Sequence, residues 1–230
     1  MSYRSHTSYS SAPCSLTRRF SIPSVEVIRV HTLVQSGDAA LFKLINQGLA
    51  NPILDHAMVA VTYLGLGITQ AGLSLALLLI GFATDRLDFR RAGYAGMVAL
   101  TFSLIASQVA KLVWARPRPL LALYDVRIVD NYLFTHSFPS GHATTAFAAA
   151  VAFSMFLPRL RYIALGLAFL TAVSRVYLGV HYPLDVTYGA ILGALIGYAS
   201  ARLVGSWNKQ PSGVEPRGHT NREPGSPVSG

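Results

Sequence analysis

Residues 136–157, HSFPSGHATTAFAAAVAFSMFL, open on a polar turn with two histidines and two serines and continue as an apolar helix. After His142 the stretch carries no charge, so its helix suits hydrocarbon while the turn ahead of it suits water. One such segment fits a buried core helix as well as a membrane span. The rest of the chain decides between them. Apolar runs recur at about 53–67, 70–84, 93–115, 160–179 and 184–204, separated by short polar punctuation. Of the 230 residues 52% are hydrophobic and 13% charged, which is too apolar for an ordinary soluble domain. The pattern predicts an all-α, polytopic membrane helix bundle of about six transmembrane helices.

The first of these runs, ILDHAMVAVTYLGLG, is short and starts with Asp55 and His56. Just upstream, DAALFKLINQGLANP has apolar residues at helical spacing and reads as an interfacial helix. Residues 1–36 read as a flexible cytoplasmic tail, 37–205 as the membrane domain, and 206–230, rich in Pro, Gly and Ser, as a disordered cytoplasmic tail. The first 35 residues lack the apolar core of a secretory signal, so the first span is expected to serve as an uncleaved insertion signal. Cys14 is the single cysteine, which excludes an internal disulfide and a thiolate metal cluster.

The net charge of +9 raises nucleic acid as a partner, but the basic residues form no stripe with interleaved aromatics. They sit between spans instead. Arg86, Arg90 and Arg91 follow the second, Arg159 and Arg161 the fourth, Arg202 and Lys209 the sixth, and the N-terminal tail adds Arg4, Arg18, Arg19 and Arg29. Six crossings put all of these on one side, which the positive-inside rule makes cytoplasmic. Topology therefore accounts for the charge, and no nucleic-acid partner is expected.

Three polar clusters fall on the opposite side. In KLVWARPRPL, Lys111 closes the third span, and Pro117 and Pro119 stop the helix. A snorkelling lysine explains Lys111 alone, but not Arg116 and Arg118 on a face where positive charge is disfavoured. In FPSGHATTAF, Ser140 stands where an N-cap belongs, and Gly141 and His142 open the helix with free N–H groups. That is an anion site suited to phosphate, although a plain capped helix would account for the serine. In SRVYLGVHYPLDVTYGA, Arg175 ends the fifth span, His181 lies in the turn, and Asp185 enters the first turn of the sixth helix. Asp185 follows His181 by four residues, so its carboxylate can orient one ring nitrogen and leave the other as nucleophile or base. Asp185 also fits the bland part of an acid at a helix N-terminus.

Cations, a helix N-terminus and two histidines on one membrane face are the equipment for holding and transferring a phosphoryl group. The cations would repel a divalent ion, so neither a metal nor another cofactor is expected. Outside the clusters, His136 and Asp125, Arg127 and Asp130 read as loop residues, Trp114 as an aromatic-belt residue, and Arg116 as a headgroup contact.

Taken together, Lys111 with Arg118 and Pro119 after six intervening residues, Pro139-Ser140-Gly141-His142, and Ser174-Arg175 with His181 and Asp185 resemble a known three-part signature. It is that of the type 2 phosphatidic acid phosphatase (PAP2) superfamily, shared with vanadium-dependent haloperoxidases. The resemblance spans about 50–205. It implies His181 as a nucleophile forming phosphohistidine, Asp185 as its orienting partner and His142 as general acid. Lys111, Arg118, Ser140, Gly141 and Arg175 would cradle the phosphate. The implied activity is hydrolysis of a lipid phosphate or pyrophosphate of the undecaprenyl pyrophosphate, phosphatidate or phosphatidylglycerophosphate type, in the cell membrane, with the site on the outer side. Two alternatives stand beside it: a vanadate-dependent haloperoxidase-like oxidoreductase, and a non-enzymatic lipid-phosphate binding or transport protein.

Overall fold

A computed structural model describes residues 25–129 and 135–207. Apart from loops, every described residue is helical. The order is α1 (Val25–Asn46), α2 (Pro52–Thr62), a 3-10 turn (Tyr63–Gly65), α3 (Gly67–Ala83), α4 (Leu87–Val113), a short α5 (Pro119–Ala122), α6 (Gly141–Phe156), a second 3-10 turn (Pro158–Leu160), α7 (Arg161–Tyr177) and α8 (Pro183–Ser206). The chain divides into two compact units, Met1–Gly37 and Asp38–Gly230. Of the first, the described part is the beginning of α1, so residues 25–36, read above as tail, are helical. The readings of 1–24 and 208–230 as tails, with Cys14, Arg4, Arg18, Arg19 and Lys209, lie outside the described residues.

Each of the six apolar runs is helical, and the helix at α2 is the shortest of them. With 11 residues, α2 is about 16 Å long at 1.5 Å per residue, against about 30 Å of hydrocarbon. It joins α3 at a bend of 61°. Its contacts stay at one end of the bundle: the Asn51 N–H donates to the Tyr177 hydroxyl at 3.2 Å, and Thr62 accepts from Arg175 at 2.8 Å. Just beyond it, the Gly65 carbonyl accepts from Thr145, one turn below the start of α6. Helices Leu87–Val113, Pro158–Tyr177 and Pro183–Ser206 are long and apolar enough to cross a membrane, and α6 is shorter at 16 residues.

A second difference lies at the other end of the bundle. Helix α4 starts at Leu87 rather than near 93, so Arg90 and Arg91 belong to the helix. The connector shrinks to Thr84–Arg86 because Asp85 takes a positive φ of 53° and Arg90 folds back on the turn, donating to the Gly81 carbonyl at 2.9 Å and pairing with Asp85.

What fixes the site is the parallel packing of α6 on α8. Gly189, Gly193 and Gly197 recur every fourth residue along α8. A Cβ there would lie 2.8 Å from the Ser140 carbonyl oxygen, 2.2 Å from that of Thr144 and 2.3 Å from that of Ala148. Small residues are the means by which membrane helices gain close contact, since lipid tails already satisfy large apolar side chains. Ala95 and Ala99 of α4 complete this seam with Ala148, Ala152 and Ala201. Because the starts of α6 and α8 both carry site residues, this packing sets their spacing. We predict that Gly193→Val, which forces side-chain atoms against backbone, destabilises the fold by about 1–3 kcal/mol and lowers turnover with it. A thermal midpoint in detergent, read beside phosphate release, checks this.

Candidate active site

The turn between α7 and α8 is built from its carbonyls upward. Helix α7 ends in a Schellman arrangement: the Gly179 N–H donates to the Val176 carbonyl at 3.0 Å and the Val180 N–H to the Arg175 carbonyl at 3.2 Å. Gly179 takes φ +84°, and a Cβ there would come within 2.3 Å of the Arg127 carbonyl oxygen, so no larger residue fits. The next N–H, of His181, also reaches the Arg175 carbonyl, at 3.3 Å. The imidazole is thereby fixed where the helix ends, 2% exposed.

Asp185 enters at the third position of α8, after Pro183 at the first. Its Oδ2 accepts the Tyr182 N–H at 2.9 Å and the Ser137 hydroxyl, and lies 3.6 Å from His181 Nδ1. Its Oδ1 accepts from Arg116 Nη1 at 2.7 Å. One carboxylate thus occupies the helix terminus and lies beside His181 Nδ1. Ser137 lies 3.5 Å from His181 Nδ1 and stands between the two groups. With Nδ1 facing this pair, Nε2 is the free ring nitrogen, 3.3 Å from Arg118 Nη1.

The cations converge on the same spot. Arg118, 3% exposed, donates to the Val180 carbonyl at 2.7 Å and the Thr135 carbonyl at 2.9 Å, and pairs with no carboxylate among the described residues. Arg175 is 2% exposed and donates to Thr62. Lys111, Arg118, Arg175 and His181 all lie close enough to His142 to act on it electrostatically. Burial holds the His181 imidazole well below the ordinary histidine range, at about 4, with Asp185 opposing the shift and Arg118 and Arg175 adding to it. His181 is therefore neutral at physiological pH.

At the start of α6 the plain-cap reading fails. Ser140 is in the N-cap position, yet its side chain makes no cap hydrogen bond. Its Oγ is buried and has no partner among the described residues. The Ser140 N–H donates to the Asp185 carbonyl at 3.0 Å, which ties the start of α6 to the start of α8. A buried hydroxyl without an acceptor, beside N–H groups that a first helical turn leaves open, is disposed toward an anion.

A match to the sequence model of the PAP2 superfamily covers residues 93–209, more than half of the chain. The chain belongs to the PAP2 superfamily. It is 33% identical to an undecaprenyl-diphosphatase of Sulfolobus acidocaldarius over 71% of this chain and 76% of that one. Among solved structures it resembles a PAP2 type phosphatidylglycerolphosphate phosphatase from Bacillus subtilis, with a TM-score of 0.66 and 26% identity over 79% of this chain and 92% of that one. LpxE of Aquifex aeolicus gives a TM-score of 0.59 and 30% identity over 71% and 93%. The chain is thus a PAP2-type membrane lipid phosphatase.

In this PAP2 chain the three clusters of the signature meet at one end of the bundle. Several of their neighbours gave no signal in the sequence. Ser137, Thr62 and Thr135 reach the site from a turn, from α2 and from the loop before α6, and nothing in their local spacing marks them. Arg116, expected at a headgroup, is instead committed to two carboxylates, Asp185 and Asp38. Arg127 is not a solvated charge. It pairs with Asp55 at 2.7 Å and stacks over the Tyr177 ring, so Asp55 is a clasp on the outer loop rather than a bare helix start. His136 and Asp125 are exposed, as expected of loop residues, and Asp130 lies outside the described residues. Trp114, 62% exposed, packs on Phe138, which packs on Tyr188.

Proposed function

We propose that the protein hydrolyses a lipid phosphate or pyrophosphate through a phosphohistidine on His181. The observation that carries this reading is the meeting of a buried, neutral imidazole, held at Nδ1, with the Arg118 guanidinium at Nε2, 3.3 Å away. Nε2 attacks phosphorus, and the bond from phosphorus to the leaving oxygen breaks. His142 protonates that oxygen. In the second step His142 takes a proton from water, the hydroxyl oxygen bonds to phosphorus, the bond from phosphorus to nitrogen breaks, and inorganic phosphate leaves. Lys111, Arg118, Arg175, the Ser140 hydroxyl and the N–H groups of Gly141 and His142 hold the charged oxygens in both steps. Asp185 orients His181 and stabilises the charge it gains. No metal enters either step, because cations occupy the places where a Lewis acid would act.

The chain of the substrate stays in the bilayer. Supporting this is an apolar groove of about 350 Å³ between α3, α6 and α7, which runs from Leu64 and Thr171, near His142, to Leu157 and Leu160. We place the site on the non-cytoplasmic side, because Arg86, Arg90, Arg91, Arg159, Arg161 and Arg202 gather at the opposite end. Among substrates the reading favours a polyprenyl pyrophosphate, the class named for the Sulfolobus relative, over phosphatidate and phosphatidylglycerophosphate. Purified protein in detergent, offered all three at matched mole fraction, should release phosphate fastest from the pyrophosphate, be inhibited by vanadate and ignore EDTA. Binding of all three without phosphate release would contradict the enzymatic reading and favour a lipid-phosphate carrier.

The depressed proton affinity of His181 has a signed consequence. Lowering the pH from 7 to 5 leaves Nε2 unprotonated, whereas a free imidazole would be mostly protonated at pH 5. The acid limb of kcat/KM, which reports the free enzyme, should therefore fall near pH 4 once the substrate's own ionisation near pH 6 is divided out. A limb centred at about 6.5, the unperturbed value, would contradict the buried setting of His181.

A further inference from the structure

Helix α1 carries none of the signature, yet one of its acids reaches Asp185, the carboxylate beside the nucleophile, through a single intermediary. Arg116 Nη1 donates to Asp185 Oδ1 at 2.7 Å, and its Nη2 to Asp38 Oδ2 at 2.6 Å. The guanidinium carbon lies over the Tyr182 ring, 4.0 Å from its centroid. The other oxygen of Asp38 accepts the Leu184 N–H at 2.9 Å, one of the first-turn donors of α8 that has no helical acceptor. Both carboxylates are buried, with side-chain exposures of 1% for Asp38 and 0% for Asp185. One turn further along α1, fully buried Phe42 packs against the Tyr182 ring. The backbone of Arg116 adds a second route: its carbonyl accepts the Ser137 N–H at 2.8 Å, and the Ser137 hydroxyl donates to Asp185.

We infer that Asp38 and Arg116 are a positioning pair for the Asp185–His181 couple, through which α1 governs the reactivity of the nucleophile. Arg116 is the sole side chain among the described residues seen to hold Asp185 Oδ1. Without it that oxygen is a buried acceptor lacking a donor, and the carboxylate is free to turn from Nδ1. Asp38 in turn stops Arg116 from swinging wholly onto Asp185 and fixes the entry of α8. The arrangement is a charge relay in the positional sense only: no proton moves through it.

The inference rests on His181 as the nucleophile, and its test separates the two. The assay is the pH dependence of kcat and KM with p-nitrophenyl phosphate, for the parent, Arg116→Met, Arg116→Lys, Asp38→Asn and the double variant Asp38→Asn/Arg116→Met. Arg116→Met should lower kcat about 10- to 100-fold, by analogy with the loss of outer groups that orient metal-bound histidines, and leave KM within about threefold. It should also move the acid limb of kcat/KM to higher pH, because the charge of Asp185 is no longer offset and His181 holds its proton more strongly. The other charged groups facing the couple, Arg118 after α4, His142 of α6, Arg175 of α7 and, next to His142, Lys111 of α4, are unchanged throughout. Arg116→Lys should restore the position of the limb. Asp38→Asn removes a negative charge and should not raise it. The double variant should be no slower than Arg116→Met alone, since both act through one contact. A raised KM at unchanged kcat would make Arg116 a headgroup contact. Additive losses with an unmoved acid limb would make the pair merely structural. Either result overturns the inference. If His181→Ala is inactive while Arg116→Met behaves as the parent, this inference alone fails; if His181→Ala is active, the reading beneath it fails.

Discussion

Replacing His181 with alanine should abolish phosphate release, with a loss of about 10⁴-fold or more in kcat, the scale seen when a covalent nucleophile is removed. The imidazole is fixed by the helix end before it, by Asp185 and Ser137 at Nδ1 and by Arg118 at Nε2, and among the described residues no second group of comparable nucleophilicity lies at that position. Arg118, Arg175, Lys111 and the open start of α6 survive the substitution, so the phosphate should still bind. The variant should therefore be a catalytically dead binder. Displacement of a fluorescent lipid phosphate by unlabelled substrate measures retained affinity beside lost turnover. Loss of both together would mean that the histidine supports the fold, not the reaction.

For His142→Ala the result depends on the leaving group. A lipid alkoxide or lipid phosphate needs a proton as it departs, and loss of a general acid costs about 10²–10⁴-fold. A p-nitrophenolate leaves without protonation. With p-nitrophenyl phosphate the variant should release one equivalent of nitrophenol per protein in a burst and then stall, because the second step needs His142 as a base toward water. A burst followed by slow turnover would place both proton transfers on one residue. Equal loss with both substrates and no burst would remove His142 from the role of acid. Its position supports that role: the ring stands at the first turn of α6, among Arg118, Arg175, Lys111 and His181.

Much of this site was legible in the chain because each cluster is punctuated where its helix begins or ends. Pro117 and Pro119 end α4's segment, Pro139-Ser140-Gly141 opens α6, and Gly179 and Pro183 bracket the turn that holds His181. Such residues act through local backbone geometry, and local geometry is written in local sequence. Asp38, Ser137 and Thr62 are of another kind. They lie 78 residues from Arg116, 48 from Asp185 and 113 from Arg175, and nothing near them in sequence distinguishes them from ordinary polar residues. The same holds for Arg127 and Asp55, whose charges look solvated until the fold brings them to 2.7 Å. The setting of α2 is of the same kind: Met58 and Val59 pack against Tyr177, Leu178 and Val180, far along the chain, while Ile53 stays exposed, and a hydropathy profile does not separate the two.

The most direct test of the central claim is capture of the phosphoryl-enzyme. His142→Ala protein mixed with ³²P-labelled p-nitrophenyl phosphate and quenched in alkali, where phosphohistidine persists, should carry about one label per chain. Peptide mapping should locate it on His181. Label on another residue, or a full burst of nitrophenol with no label on the protein, would contradict a covalent intermediate on His181 and leave direct attack by water in its place.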